Sequence, residues 1–164
     1  MHKVVLLAGV ALATSPAYAG NGLRSDMTVT LDFATELAQA TVKACAEKGY
    51  NVSAAVVDRA GHLKALARAD GANPHSIEIA RRKAYTSAML RYETGKLVEN
   101  IGNGTTPSGI MQMQDIVALY GGMPILAGRD VVGGVGASGA PDGRIERECV
   151  DAALKQLQGR LQTD

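Results

Sequence analysis

The sequence predicts an α+β fold in which an antiparallel sheet with flanking helices forms a single domain. Two observations point to this class. The chain contains two pairs of short apolar runs, each pair joined by a turn, and this arrangement is typical of β-hairpins. Helical patterns precede, separate and follow the hairpins, so the strand-helix-strand alternation of a parallel sheet is missing.

The first half of the chain is predicted to form a helix, a hairpin and a second helix. Thr30 provides a cap for the first helix, and Gly49 ends it. The turn over 58–61 joins the two strands, and Asn73 caps the second helix with Pro74 at its first position. The predicted elements are a helix over 31–48, strands over 51–57 and 62–69, and a helix over 74–90.

The second half is rich in glycine and begins with a short helix followed by an irregular stretch that reaches Gly122. A second hairpin turns at Gly128-Arg129-Asp130 and precedes the last helix. The predicted elements are a helix over 96–101, strands over 123–127 and 131–137, and a helix over 143–158.

Residues 1–19 have the pattern of a secretory signal peptide. Lys3 precedes an apolar run over 4–13, and Ala17-Tyr18-Ala19 is a small-x-small cleavage site. A retained membrane anchor is the alternative, but the run is short and no other long apolar stretch follows. We therefore expect an exported domain over 20–164, periplasmic or extracellular, with no membrane span after cleavage.

The charge of the processed chain argues against two classes of partner. Of the 17 Lys and Arg residues, Lys3 is removed with the signal peptide, which leaves 16 against 16 Asp and Glu. Binding to nucleic acid or to an anionic membrane surface needs a basic excess. A chain with a net charge of zero favours a small-molecule ligand instead.

The run Gly134-Val135-Gly136-Ala137-Ser138-Gly139 has the form of a dinucleotide-binding fingerprint. Its context does not fit, because a Rossmann unit needs a further parallel strand and an acidic residue after the helix. We interpret these glycines as positions where backbone segments approach closely. No nucleophile elbow of the G-x-S-x-G kind occurs, so the sequence does not favour a hydrolase.

After signal cleavage two histidines remain, His62 and His75. Neither belongs to an H-x-x-x-H or C-x-x-C pattern, so a structural zinc site is not predicted. Each could serve as a single axial ligand to iron, and each could equally be a solvated turn histidine.

The densest charge cluster is Arg81-Arg82-Lys83, followed by Tyr85 and Thr86 on the second long helix. Helical spacing puts the alanines of this helix toward the sheet, so we expect Arg81, Lys83 and Tyr85 partly outside that face. The run is either a solvated face or a binding site for a dianionic ligand such as a porphyrin with two propionates.

Cys45 and Cys149 are predicted to lie on the inner faces of the first and last helices. These helices should cover the sheet side by side, and export would permit oxidation. The alternatives are a disulfide, which requires Cα atoms within about 7 Å, and two separate buried thiols.

Five motifs of the chain occur in a characteristic order. They are Val56-Val57-Asp58-Arg59-Ala60-Gly61-His62-Leu63, Arg68-Ala69-Asp70-Gly71-Ala72, Lys83-Ala84-Tyr85-Thr86-Ser87-Ala88, Gly121-Gly122-Met123-Pro124-Ile125 and the glycine run over 132–139. Together they resemble the GlcG/HbpS family, a haem-binding and haem-degrading domain family that is also similar to the C-terminal domain of PduO-type adenosyltransferases. The resemblance covers residues 28–157.

The resemblance implies a profilin-like or PAS-like sheet, assembly into homo-oligomers, and haem or iron binding in some members. It implies a ligand near Arg82, Lys83, Tyr85 and Thr86. Family members commonly have a small residue where this chain has His62, which makes His62 a candidate axial metal ligand.

The first hypothesis is therefore an exported, non-catalytic protein that binds haem or a related tetrapyrrole and takes part in haem sensing or uptake. A second is an accessory protein or enzyme of a catabolic pathway that binds an organic acid through Arg82, Tyr85 and Thr86. A third is an interaction role without a ligand.

Overall fold

The computed structural model describes residues 25–162. Within this range an antiparallel four-stranded sheet with strand order β2-β1-β4-β3 carries helices on both faces. The elements are α1 Leu31–Ala46, β1 Ser53–Asp58, β2 Leu63–Arg68, α2 Ser76–Leu90, α3 Thr94–Gly102, β3 Gly122–Ala127, β4 Asp130–Ser138 and α4 Gly143–Leu157, with short 3-10 helices at Ser108–Gln112 and Gln158–Leu161. The α+β prediction is confirmed. The predicted signal peptide lies outside the described residues.

The predicted element order is also confirmed, with shifts at the ends. Helix α2 begins at Ser76 rather than Pro74 because residues 73–75 form a turn. In this turn the Asn73 carboxamide oxygen accepts the His75 N–H at 3.0 Å, and the Asn73 carbonyl accepts the Ser76 N–H at 2.9 Å. The irregular stretch before Gly122 includes the first 3-10 helix.

The two faces of the sheet bury different side chains. On one face Phe33 and Leu37 of α1 and Val150 of α4 pack against Val56 and Val135 in the larger apolar core. On the other face the small residues of α2 pack against the alternate residues of β1. That second cluster consists of Ala55, Val57, Ala80, Ala84 and Ala88.

Helix α2 lies close to the sheet because β4 has glycines beneath it. A Cβ added at Gly136 would collide with the Ala80 carbonyl oxygen and lie 2.6 Å from the Ala84 nitrogen. Gly139 has a φ of 133°, which favours glycine. The glycine run therefore serves backbone packing.

Of the two alternatives for Cys45 and Cys149, the disulfide is confirmed. Cys45 of α1 and Cys149 of α4 are bonded, and their Cα atoms lie 5.3 Å apart. Both side chains are fully buried beside Val52. The bridge joins the two helices that cover the larger core. Among the described residues, no helix is long and apolar enough to cross a membrane.

Candidate functional site

The turn between β1 and β2 presents His62 to solvent. The Asp58 carboxylate accepts the backbone N–H groups of Ala60 and His62, each at 2.9 Å, and thereby holds the turn. Gly61 has a φ of 87°, and a Cβ added there would lie 2.7 Å from a ring carbon of Tyr85. The turn is thus pressed against Tyr85.

The His62 imidazole is 82% exposed, and its Nδ1 lies 3.7 Å from an Asp58 carboxylate oxygen. Within residues 25–162, Nε2 takes part in no hydrogen bond. A carboxylate near one ring nitrogen favours the tautomer that leaves the other nitrogen free as an acceptor. The His62 imidazole therefore faces solvent, with Nδ1 toward Asp58.

The outer face of α2 holds a short piece of chain that we call the crossing segment, residues 115–117. Arg81 donates to the Asp115 carboxylate at 2.5 Å, and Arg82 donates to the Ile116 carbonyl at 2.7 Å. The Thr86 hydroxyl accepts the Val117 N–H at 3.0 Å. Three predicted ligand-binding positions of α2 thus contact the protein's own chain.

Because of these contacts, the side chains of Arg81, Arg82 and Thr86 differ in how accessible they are to a ligand. Thr86 is 1% exposed, so its hydroxyl does not reach solvent. The Arg82 Nε is buried and has no hydrogen-bond partner among the described residues. Arg81 remains 26% exposed. An organic acid at Arg82, Tyr85 and Thr86 would have to replace two of the bonds to the crossing segment.

The prediction that Lys83 lies outside the sheet-facing stripe is wrong. Its side chain is 3% exposed and passes between helix and sheet, where it donates to the Ala137 carbonyl at 2.9 Å and pairs with Glu146. Burial lowers the pKa of the Lys83 ammonium, although Glu146 opposes the shift.

Glu146 completes this buried pair from the first turns of α4. Its second carboxylate oxygen accepts the N–H groups of Gly139 and Ala140 at 2.8 and 3.1 Å. Sequence reasoning assigned Glu146 no role. The sequence does indicate that Glu146 is buried, because Glu146 has helical spacing with Cys149, Val150 and Ala153. A buried carboxylate requires a partner, so a nearby cation could have been expected.

The structure therefore separates the predicted site residues into three places. Tyr85 lies beside the turn that carries His62, Arg82 and Thr86 hold the crossing segment, and Lys83 is interior. His75 is exposed at the start of α2. Between residues 25 and 162 no group of three or more His, Cys, Asp or Glu side chains converges as a metal site.

The fold and these side chains define a class of protein, a small α+β binding domain with an outward histidine beside a cationic helix. Residues 29–155 match the model of the HbpS-like family, which is described as "haem degrading protein HbpS-like". The chain belongs to this family.

Individual relatives agree with that assignment. Protein GlcG of Escherichia coli K12 is 31% identical over 116 residues, which cover 71% of this chain and 85% of GlcG. The crystal structure of HbpS is 34% identical with a TM-score of 0.79, covering 86% of this chain and 98% of HbpS. The PduOC–haem complex has the same fold, with a TM-score of 0.72 at 21% identity over 79% of this chain and 94% of PduOC.

Proposed function

We propose that this protein binds haem on the surface between the β1–β2 turn and the outer flank of α2, where His62 would hold the iron. The observation that carries the proposal is the exposed imidazole, whose Nδ1 faces Asp58 and whose Nε2 is open. Membership of the HbpS-like family supports the choice of ligand. PduOC has been crystallised with haem, so a chain of this fold can hold the group.

Exposed apolar side chains near the turn that carries His62 would suit the apolar face of a porphyrin. Leu63 and Leu66 of the edge strand β2 are 49% and 37% exposed. They pair with Val57 and Ala55, which pack under α2, so both leucines lie on the α2 side of the sheet. Apolar side chains next to the turn that carries His62 would supply the contact surface that a porphyrin face requires.

A stripe on α2 continues this surface. Arg81, Tyr85 and Met89 follow one another at four-residue spacing and so share one flank of the helix. Tyr85 and Met89 are partly buried against the turn at Gly61, and Arg81 lies one turn further along. Arg81 would bind a propionate, and Arg82, whose guanidinium bonds the Ile116 carbonyl, lies beside it as a second cation.

The residues have separate tasks in this proposal. His62 binds the iron, Asp58 orients the imidazole, and Arg81 and Arg82 hold carboxylates. Bound haem would supply the iron and its redox chemistry. Lys83 and Thr86 are left out of the ligand set because both side chains are buried and occupied.

We also propose that the protein is exported and works as a homo-oligomer. The predicted signal peptide and the Cys45–Cys149 disulfide support an oxidising compartment. Exposed Leu63 and Leu66 would be covered by a second copy, which would also shield the open side of the haem. Light scattering on protein purified from the periplasm or medium measures the assembly, and intact mass tests cleavage after Ala19.

A hemin titration with matched histidine variants tests the ligand assignment. We expect His62→Ala to lose the shift of the Soret band that histidine ligation of hemin produces, and to weaken binding at least tenfold. His75→Ala is the control, because it removes the other exposed imidazole outside the proposed site. Equal spectra and affinities for His62→Ala and the unchanged protein would reject His62 as the ligand.

A further inference from the structure

A cavity on the opposite flank of α2 has no part in the proposed haem site. It has a volume of about 300 Å³ and lies between α2, α3 and the start of α4. Its walls are largely apolar, formed by Ile79, Val98, Ala118 and Leu119, with Tyr120 beside them. This volume is at the lower end for ligand sites and fits a short-chain molecule.

The polar part of this cavity is the Lys83–Glu146 pair. Lys83 uses two of its three ammonium hydrogens, on the Ala137 carbonyl and the Glu146 carboxylate. No acceptor in the described part of the chain takes the third. Both side chains are 3% exposed, so the small accessible portion opens toward the cavity that they line.

Ser138 adds an unused hydroxyl to the same lining. The residue is 6% exposed, and in residues 25–162 its side chain makes no hydrogen bond. Its cross-strand neighbour Ser53 bonds Ser76 at 2.8 Å instead. Because Ser138 lines the cavity, its hydroxyl is available to a polar group of a ligand bound there.

The charge of the site selects the ligand class. Lys83 and Glu146 neutralise each other, so a bound carboxylate would add a buried negative charge without a counterion. A neutral carbonyl group adds no charge to the site. Its oxygen would accept hydrogen bonds from the Lys83 nitrogen and the Ser138 hydroxyl. The apolar walls would contact a short alkyl chain.

We propose that this cavity binds a short-chain aldehyde and that Lys83 forms a reversible imine with it. Glu146 takes a proton from the Lys83 ammonium, and the free amine attacks the carbonyl carbon. A second proton of the amine nitrogen moves to the carbonyl oxygen, which becomes a hydroxyl. Glu146 then returns the proton as that hydroxyl leaves as water. The protonated imine retains the positive charge of Lys83 and remains paired with Glu146.

The lowered pKa of Lys83 supports this chemistry, because a neutral amine is the nucleophile. Lys155 provides a matched comparison inside the same molecule. It is paired with Asp151 at 2.7 Å, as Lys83 is with Glu146, but its side chain is 71% exposed. The two lysines therefore share a carboxylate partner and differ in burial.

Reductive trapping tests the proposal on the unmodified protein. The folded protein is incubated at pH 7 with propanal and sodium cyanoborohydride, and the rate of propyl addition at each lysine is measured by peptide mass spectrometry. We expect Lys83 to react at least tenfold faster than Lys155. Propionate, which has the same chain length and a negative charge, should not slow the reaction.

Ser138→Ala provides the matched variant, because it removes only a hydroxyl that bonds nothing in the described structure. It should slow labelling of Lys83 about threefold or more and leave Lys155 unchanged. Labelling of Lys83 no faster than that of Lys155 would overturn the proposal. Rapid labelling that Ser138→Ala does not slow would overturn the role of Ser138. Neither result bears on haem binding at His62.

Discussion

Arg81 bonds Asp115 at 2.5 Å across the outer face of α2, and this ion pair ties the crossing segment to the helix. Arg81 is also the cation that we propose for a haem propionate. The Asp115 carboxylate therefore occupies a position that a ligand carboxylate would need. A ligand must either displace Asp115 or share the guanidinium with it.

Asp115→Asn is predicted to strengthen hemin binding. The change removes the competing charge, and asparagine tolerates the positive φ of 66° at this position. A half-exposed pair contributes up to about 1 kcal/mol, so the gain should be about fivefold at most. Parallel hemin titrations of both proteins measure it.

Glu78→Gln is the control for that experiment. Glu78 also pairs with Arg81, at 2.7 Å, but it lies on the same helix and does not hold the crossing segment. Its replacement should change hemin affinity less than Asp115→Asn does. Weaker binding by Asp115→Asn would mean that Asp115 positions Arg81 and does not compete with the ligand.

Gly136→Ala is predicted to destabilise the fold by about 3 kcal/mol or more, because the new methyl group meets the backbone of α2 at Ala80 and Ala84. Gly109→Ala is the matched substitution, since nothing lies within 4 Å of a Cβ added there. It should change the free energy of unfolding by less than about 0.5 kcal/mol. Urea denaturation compares the two, and similar values would contradict the close approach of α2.

Lys83→Met is predicted to cost about 3–5 kcal/mol, because it leaves the Glu146 carboxylate buried without its cation. The double variant Lys83→Met, Glu146→Gln should recover most of this loss. The glutamine oxygen can still accept the N–H groups of Gly139 and Ala140. Urea denaturation of both variants decides the matter, and a double variant no more stable than the single one would refute the charge argument.

Replacing Cys45 and Cys149 together by alanine is predicted to lower the free energy of unfolding by about 4–5 kcal/mol in the chain-entropy model. The bridge spans 104 residues of sequence, so the unfolded chain gains much freedom without it. Denaturation under non-reducing conditions measures the difference. Two alkylatable thiols in the oxidised, unfolded protein would contradict the bridge itself.

Periodicity and turn residues were sufficient to predict the sheet, its hairpins and the helices. They also brought Cys45 and Cys149 together, because both cysteines share a face with apolar neighbours. Lys83 was misplaced because the sheet-facing stripe of α2 was drawn through the alanines, although its spacing from Ala80 and Ser87 also puts it on the buried side. The ion pair with Glu146 explains how the Lys83 charge is tolerated inside the protein. Its two residues lie 63 positions apart in the sequence, so local spacing does not reveal the pair.

The crossing segment could not be predicted in the same way. Its path over α2 depends on one ion pair and two bonds to backbone groups of irregular chain, and none of these leaves a periodic pattern. The role of Asp115 emerges only when the three-dimensional course of residues 103–121 is known.

The bridge between α1 and α4 has a further consequence for a protein that meets proteases. A single cut anywhere between residues 45 and 149 leaves two fragments that remain covalently joined. A nick in the irregular chain after α3 would separate β1 and β2 from β3 and β4 in sequence, but β1 still pairs with β4 along its whole length. A clipped molecule should therefore migrate as one species until a reductant is added.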